Sequence, residues 1–317
     1  MSAGKKSLTE APTNLKEAID WVIKISELEN VEQLGEALEK LFRADVAVVA
    51  WEVREVFDVI KENIIEQFDG MNGFPRDHYK GYLSSVTEGL KDVERPAEVT
   101  KDNLRNSINK LVDGLKSFLG YKGPSSFNDG IISSSPSYTF TYNTATWIQN
   151  DVSRYAAIFL GILPAIFFAV TLIYWKCSEK NGWQNSELKN ASNGTLKQFL
   201  TQMCFNGVKF NDGKKASQVV GDLKSGFTEL SEANPKDIPY SSFLRSLLSK
   251  PPQPSNPLNY LHRISYYYIT SPAYSETSIT TSKASIATLG ATALAGGAYG
   301  LNIGGFATSL NSFFGFT

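Results

Sequence analysis

The sequence has very few of the residues from which catalytic and metal sites are built. Its 317 residues include two histidines, His78 and His262, and two cysteines, Cys177 and Cys204. No zinc-protease spacing, phosphate-binding glycine loop, dinucleotide fingerprint or nucleophile elbow is present. No set of Cys and His has the spacing of metal ligands. We therefore expect no catalytic residues, no cofactor and no metal site.

The sequence also lacks an excess of charge of either sign. It has 31 lysines and arginines against 32 aspartates and glutamates, and no run of basic residues is longer than two. Nucleic-acid binding proteins need a basic patch that neutralises phosphates. We expect neither a nucleic-acid partner nor a small-molecule substrate. The first residues, MSAGKKSLTEAPTN, have no apolar core and therefore predict no secretory signal.

The two cysteines are too few for a disulfide framework. They allow one disulfide, between Cys177 and Cys204, and two ordinary reduced thiols are the simpler alternative. Two glycosylation patterns lie between them, at Asn190 (NAS) and Asn193 (NGT). These asparagines would be modified only if their segment faces a secretory lumen.

What the sequence does contain is a long apolar run over residues 156–175, AAIFLGILPAIFFAVTLIYW, without a charged side chain. Twenty helical residues extend about 30 Å, which is the thickness of the hydrocarbon core of a bilayer. Tyr155 and Tyr174 lie at its edges, where aromatic rings favour the headgroup level. We predict a transmembrane helix. The residues that we assign to it, spaced from one end to the other, are Ala156, Leu160, Pro164, Phe168 and Trp175.

The alternative is a helix buried in the core of a soluble domain. Such helices are also apolar all round, but most are shorter than this run. Length therefore favours the membrane. A third reading, a membrane enzyme or channel component, ranks last because the run carries none of the charged residues that usually mark those functions.

Apolar residues recur at helical spacing through residues 13–120. This pattern predicts a helical bundle that follows a disordered N-terminus of residues 1–12. Asn14 and Glu17 have capping-box spacing at the start of the first helix, and Gly120 marks the end of the last. The apolar stripes lie within residues 15–23, 34–42, 46–68, 79–90 and 104–119.

The rest of the chain alternates between polar and apolar regions. Residues 121–153 are rich in Gly, Ser and Tyr and predict a connector. The apolar helix occupies residues 154–176. A polar helical region is predicted for residues 177–275, where the aromatic run 264–269 fits either a helix edge or a strand. The predicted fold is therefore mainly α.

The last segment, residues 276–317, is rich in small residues. Gly296, Gly300 and Gly304 have the spacing at which membrane helices approach each other closely. Two alternatives follow for this segment. It forms a second membrane helix over residues 286–306, or it is a flexible apolar tail, since glycine is costly to order.

Six stretches of the chain, in this order, resemble the variant erythrocyte surface antigen family of Babesia parasites. They are residues 11–21 (APTNLKEAIDW), 118–121 (FLGY), 145–147 (ATW), 155–164 (YAAIFLGILP), 174–177 (YWKC) and 265–270 (SYYYIT).

The resemblance implies a polymorphic, non-enzymatic membrane protein on the surface of the infected erythrocyte. There it would bind host cells and vary to evade antibody, with a membrane and host or parasite proteins as its partners. Members of the family are longer and richer in cysteine, so we expect a short or truncated member. The alternative is a soluble helical protein-binding module, with the apolar helix buried in its core.

Overall fold

Helices account for most of the chain that the computed structural model describes. The described residues are 6–27, 30–43, 47–68, 81–83, 86, 99–123, 126–133, 138–142, 152–178, 183, 187–188, 195–205, 208–227 and 257–270. All of them belong to one compact unit, Met1–Ser271. The prediction of a mainly α fold is confirmed.

Four helices with assigned bounds lie in the described part of residues 15–119. They are α1 (Leu15–Glu27), α2 (Val31–Arg43), α3 (Ala47–Phe68) and α4 (Lys101–Leu119). Each follows one of the predicted apolar stripes. The stripe at residues 79–90 lies mostly outside the described residues, but residues 81–83 and 86 are helical and their Tyr82, Leu83 and Val86 side chains are buried.

The remaining described elements are a short hairpin and four more helices. Strands β1 (Tyr121–Gly123) and β2 (Ser126–Phe127) pair antiparallel, with Tyr121 opposite Phe127. The helices are α5 (Val152–Ser178), α6 (Leu196–Gln202), α7 (Ala216–Gly226) and α8 (Pro257–Thr270). The aromatic run 264–269 is therefore helical. The predicted tail 276–317 lies outside the described residues.

The ends of α1 and α4 follow from their capping residues. The Asn14 side chain accepts a hydrogen bond from the Glu17 amide at 2.9 Å, so half of the predicted capping box is formed. The Glu17 carboxylate instead accepts from the Thr13 amide, also at 2.9 Å. At the other end, α4 stops at Gly120, whose φ of 79° is the left-handed conformation that glycine adopts readily.

The predicted connector packs against the end of α4. The Ile131 amide donates to the Phe118 carbonyl at 3.0 Å, and the Ile132 amide donates to the Leu119 carbonyl at 3.2 Å. These carbonyls lie in the last helical turn, where no partner exists within the helix. A Cβ on Gly130 would lie 1.9 Å from the Gly120 nitrogen. Only glycine therefore fits where the connector crosses the helix end.

Residues 6–12 belong to the N-terminus that the sequence predicts to be disordered, residues 1–12, and in the structure they contact α1 and the connector. Leu8 is buried, and its carbonyl accepts a hydrogen bond from the Trp21 indole at 2.8 Å. The Lys6 amide donates to the Thr141 carbonyl at 2.9 Å. A buried indole N–H needs an acceptor, and this segment supplies it. Residues 1–5 lie outside the described part of the chain.

The long apolar helix α5 lies at the centre of this unit. Every residue from 155 to 173 is buried, and α1, α2, α3, α7 and α8 all contact the helix. Its closest neighbour is α3, because a Cβ on Gly161 would lie 2.6 Å from Cγ1 of Val56 and 2.9 Å from the Val53 carbonyl oxygen. Helices from both ends of the chain therefore share one core around α5.

Candidate functional site

The proline inside α5 creates a specific requirement at its centre. Pro164 has no N–H, so the carbonyl of Leu160, four residues earlier, has no donor within the helix. The Ser265 hydroxyl of α8 donates to this carbonyl at 2.5 Å, and both residues are fully buried. A buried carbonyl without a partner would be costly, so this bond fixes α8 on α5 at one register.

A second polar contact lies close to the first along α8. Nε2 of His262 lies 2.6 Å from the Tyr82 hydroxyl, and the imidazole stacks on the Phe167 ring at 4.1 Å between centroids. Tyr82 in turn stacks on Phe168 at 4.2 Å. We call these contacts the helix junction. Its members are Tyr82, Leu160, Pro164, Phe167, His262 and Ser265.

Burial sets the charge state of the helix junction. His262 is 2% exposed and Tyr82 is 0% exposed. Burial lowers the pKa of His262 to about 3, because the charged imidazolium would lose its hydration. His262 is therefore neutral at physiological pH, and its Nε2 accepts a hydrogen bond from the Tyr82 hydroxyl when Nδ1 carries the ring proton.

The geometry of the junction favours packing over reaction. The Tyr82 and His262 side chains are fully enclosed, and burial alone accounts for the lowered pKa of His262. Within the described ranges, no group of three His, Cys, Asp or Glu side chains could hold a metal ion. The chemistry available here is the gain or loss of one proton by His262.

A second polar cluster, at the start of α1, binds a distant segment. The fully buried Asp20 carboxylate accepts from Lys16 Nζ at 2.6 Å, from the Thr141 amide at 2.9 Å and from the Tyr138 hydroxyl. Lys16 also donates to the Thr139 carbonyl at 3.0 Å. We call these five residues the N-terminal clamp. Burial, with the nearby Asp20 charge, raises the pKa of Tyr138 well above its usual value.

Four aromatic rings extend this clamp toward the hairpin. Their neighbouring centroids lie 5.1–5.3 Å apart in a closed circuit. The rings are those of Tyr121, Phe127, Tyr138 and Phe140. Lys16 and Lys24 of α1 lie over two of them, at 4.7 and 4.1 Å. The cations that these rings attract are thus supplied by α1, and the cluster binds the connector to that helix.

Comparisons with known proteins identify no family for this chain. No family model matches the chain, and neither the curated proteins nor the solved structures give a match. The resemblance to the surface antigen family therefore stays a prediction.

Several residues predicted to matter for function lie along α5. Ala156, Leu160, Pro164 and Phe168 are buried, and Trp175 is half-buried. The helix meets the length and composition of a membrane span, and the whole of its most apolar 18-residue window is buried inside the protein. The sequence predicted the helix itself, but it could not identify Ser265 and Tyr82 as partners across 105 and 180 residues.

The remaining predicted sites are the cysteines and the glycosylation patterns. Cys177 and Cys204 are both free thiols, the first buried and the second half-buried. Burial raises the pKa of the Cys177 thiol, which disfavours the reactive thiolate. Asn190 and Asn193 lie outside the described residues.

Proposed function

We propose that the chain is a non-enzymatic helical binding module that folds in water with α5 as its core helix. The observation that carries this proposal is the enclosure of α5, whose residues 155–173 are all buried by neighbouring helices. The function then lies on the outer surfaces of the surrounding helices, and the expected partners are host or parasite proteins.

The charged side chains on the helices around α5 support the proposal that water, and not lipid, surrounds this unit. On α3, which covers α5 most closely, Asp58 pairs with Arg54 at 2.7 Å and with Lys61 at 2.8 Å. On the faces of α2 and α4, Lys101 pairs with Glu32 at 2.8 Å. Charged side chains of this kind are costly in hydrocarbon and ordinary in water. A bilayer around this layer of helices would have to accommodate all of them.

A role as a variant surface antigen is the second candidate, and one contact favours it. Ser265 begins one stretch that resembles the antigen family, and Leu160 and Pro164 lie in another. These two stretches meet at the helix junction through the Ser265 hydrogen bond. Such contact is expected if the resembling residues maintain a common core. The exposed surface would then be the part that varies.

Two arginine substitutions test whether α5 lies in a protein core or in a lipid bilayer. Ile166 is fully buried at the centre of α5, whereas Val59 on α3 is 40% exposed. Ile166→Arg should unfold the whole unit, at a cost above about 3 kcal/mol, because it buries an unpaired charge. Val59→Arg adds the same charge at the surface and should change stability by less than about 0.5 kcal/mol.

Urea denaturation and carbonate extraction of membranes measure the two outcomes. A wild-type protein that stays in the carbonate pellet, with an Ile166→Arg variant that keeps its folded helices but leaves the membrane, would contradict the proposal. Surface labelling of intact infected erythrocytes tests the antigen role separately, and a protein confined to the parasite interior would exclude that role.

A further inference from the structure

The helix α5 has features that a core helix in water does not need. Residues 156–175 carry no charge and reach about 30 Å, the thickness of the hydrocarbon core. Tyr174 and Trp175 are half-buried at one end, and Lys176 lies over the Trp175 ring at 4.5 Å. Aromatic rings next to a cation are typical of the level of lipid headgroups.

One side of α5 is covered by the last described helix, α8. Two of the contacts between them, both at the helix junction, are specific to single side chains. Ser265 binds the Leu160 carbonyl, and His262 stacks on Phe167 near the middle of the apolar run. His262 is the only histidine among the described residues. A single ionisable imidazole thus lies against the centre of the segment that could span lipid.

We propose that α5 is a conditional membrane segment: acidification releases α8 at the helix junction, and the exposed α5 inserts into a lipid bilayer. The inference rests on the proposed folding of α5 as a core helix at neutral pH. Its partner is a membrane, bound only after α8 has opened.

Among the described residues, no negative charge lies beside His262 to compensate its protonation. Its described ionisable neighbours are Tyr82 and Tyr266, which contact the imidazole, and Arg263, which follows it in sequence. Residues 156–175 of α5 supply no charge, and the fully buried side chains of α2, α3 and α4 include no titratable group among those described. Glu52 of α3 is half-buried near Arg154, and burial raises its pKa. Arg54 of α3 donates to the Ile269 carbonyl at 3.4 Å, toward the other end of α8. No described carboxylate therefore meets the imidazolium.

The proton is therefore taken up mainly when α8 is open. Burial lowers the pKa of His262 to about 3 in the closed form, whereas an exposed imidazole has a pKa of about 6.5. Between these two values, each unit of pH favours the open form by about tenfold, which gives about 30-fold at about pH 5 relative to neutral pH. Endosomal and other mildly acidic compartments lie in this window.

The test uses the full chain and vesicles of phosphatidylcholine with phosphatidylglycerol, at about pH 7.5 and about pH 5. Flotation followed by a carbonate wash reports insertion. We expect wild-type protein to stay free at the higher pH and to float with the vesicles at the lower one. Without vesicles, the α8 amides should exchange hydrogen about 30-fold faster at the lower pH, after correction for the intrinsic rate.

Two variants separate the effect of protonating His262 from the effect of losing its hydrogen bond with Tyr82. His262→Gln keeps an acceptor for Tyr82 but cannot titrate, so its flotation at about pH 5 should fall by about tenfold or more. Tyr82→Phe removes the same hydrogen bond and leaves the imidazole, so acid dependence should remain, with its midpoint at higher pH.

The outcomes distinguish this inference from the proposed function. Wild-type protein that never floats, α8 exchange that ignores pH, or equal acid dependence in His262→Gln would each overturn the conditional insertion alone. Carbonate-resistant binding already at about pH 7.5 would overturn the core-helix proposal on which the inference rests.

Discussion

The N-terminal clamp and the helix junction both connect parts of the chain that are far apart in sequence, but they use different chemistry. In the clamp, the buried Asp20 carboxylate has a lysine, a tyrosine and a backbone amide as donors. In the junction, a neutral His262 and the Ser265 hydroxyl make one hydrogen bond each. The clamp is held by a satisfied charge, and the junction by neutral groups on an apolar helix.

The helix junction and the Glu17 site next to the clamp respond to acid over different ranges of pH. Beside the clamp, burial raises the pKa of Glu17, but hydrogen bonds from Lys6 and Thr13 outweigh it and leave the pKa below 4.5. A lowered carboxyl pKa stabilises the fold above the unfolded value, and this stability is lost as pH falls through the folded one. The junction begins to lose stability near pH 6.5, the ordinary value for histidine. Mild acid therefore weakens the junction first.

The largest expected effect is at the clamp. Asp20→Ala leaves Lys16, the Tyr138 hydroxyl and the Thr141 amide buried without their acceptor, and we expect a loss of about 3 to 5 kcal/mol in the free energy of unfolding. Asp102→Ala removes a carboxylate from an exposed pair with Arg105 and should cost less than about 1 kcal/mol. Urea denaturation measures both. Equal costs would mean that the clamp contributes no more than a surface ion pair.

The next largest effect is expected where α3 and α5 approach each other closely. It tests how much packing, rather than hydrogen bonding, stabilises α5 in the core. Gly161→Ala would place a methyl group 2.6 Å from Val56 and should destabilise the protein by up to about 3 kcal/mol. Gly221 lies in α7 with nothing within 4 Å of its Cβ position. Gly221→Ala should therefore stabilise the helix by about 0.5 to 1 kcal/mol. Thermal denaturation that shows the same sign for both would contradict the close contact.

The pH dependence of stability should come next. The pKa of His262 is lowered on folding, so its contribution is complete above about pH 6.5 and declines as the pH falls toward about 3. At about pH 5 this loss reaches about 2 kcal/mol. Urea titrations across this range measure it, and His262→Gln should flatten the curve. An unchanged slope in that variant would assign the acid response to other groups.

The smallest effect, and the sharpest test of geometry, concerns the proline. Ser265→Ala removes the donor to the Leu160 carbonyl and should cost about 1 to 2 kcal/mol. Pro164→Ala restores an N–H four residues after Leu160, so Ser265→Ala should cost less in that background. A double-mutant cycle measures the coupling, expected above about 0.5 kcal/mol. Additive costs would show that Ser265 does not serve the carbonyl that Pro164 leaves free.

The sequence predicted the helices better than their surroundings. Apolar spacing located α1 to α4, and glycine chemistry located the end of α4 at Gly120, because both signals are local. Whether protein or lipid surrounds α5 cannot be predicted locally, since a protein core and a bilayer select the same apolar side chains. The donor that the Leu160 carbonyl receives is not local either, because Ser265 lies 105 residues away.

The clamp shows the same limit. Lys16 and Asp20 have the spacing of an ordinary surface ion pair on a helix, which gave no reason to expect burial. Their other partners lie 118 to 125 residues further along the chain. Residues 6–12 belong to the N-terminus, residues 1–12, that the sequence predicts to be disordered. Nothing in their composition indicates that the Leu8 carbonyl is the acceptor of the buried Trp21 indole.

The order of the elements along the chain has a consequence for biosynthesis. A ribosome completes α5 about 80 residues before α8, an interval on the order of 4 to 16 seconds at ordinary rates of translation. During that time the nascent chain displays a strongly apolar helix without its final cover. A chaperone or the translocation machinery can bind it first, so the fate of this protein is decided partly by which of them arrives before residue 270 is made.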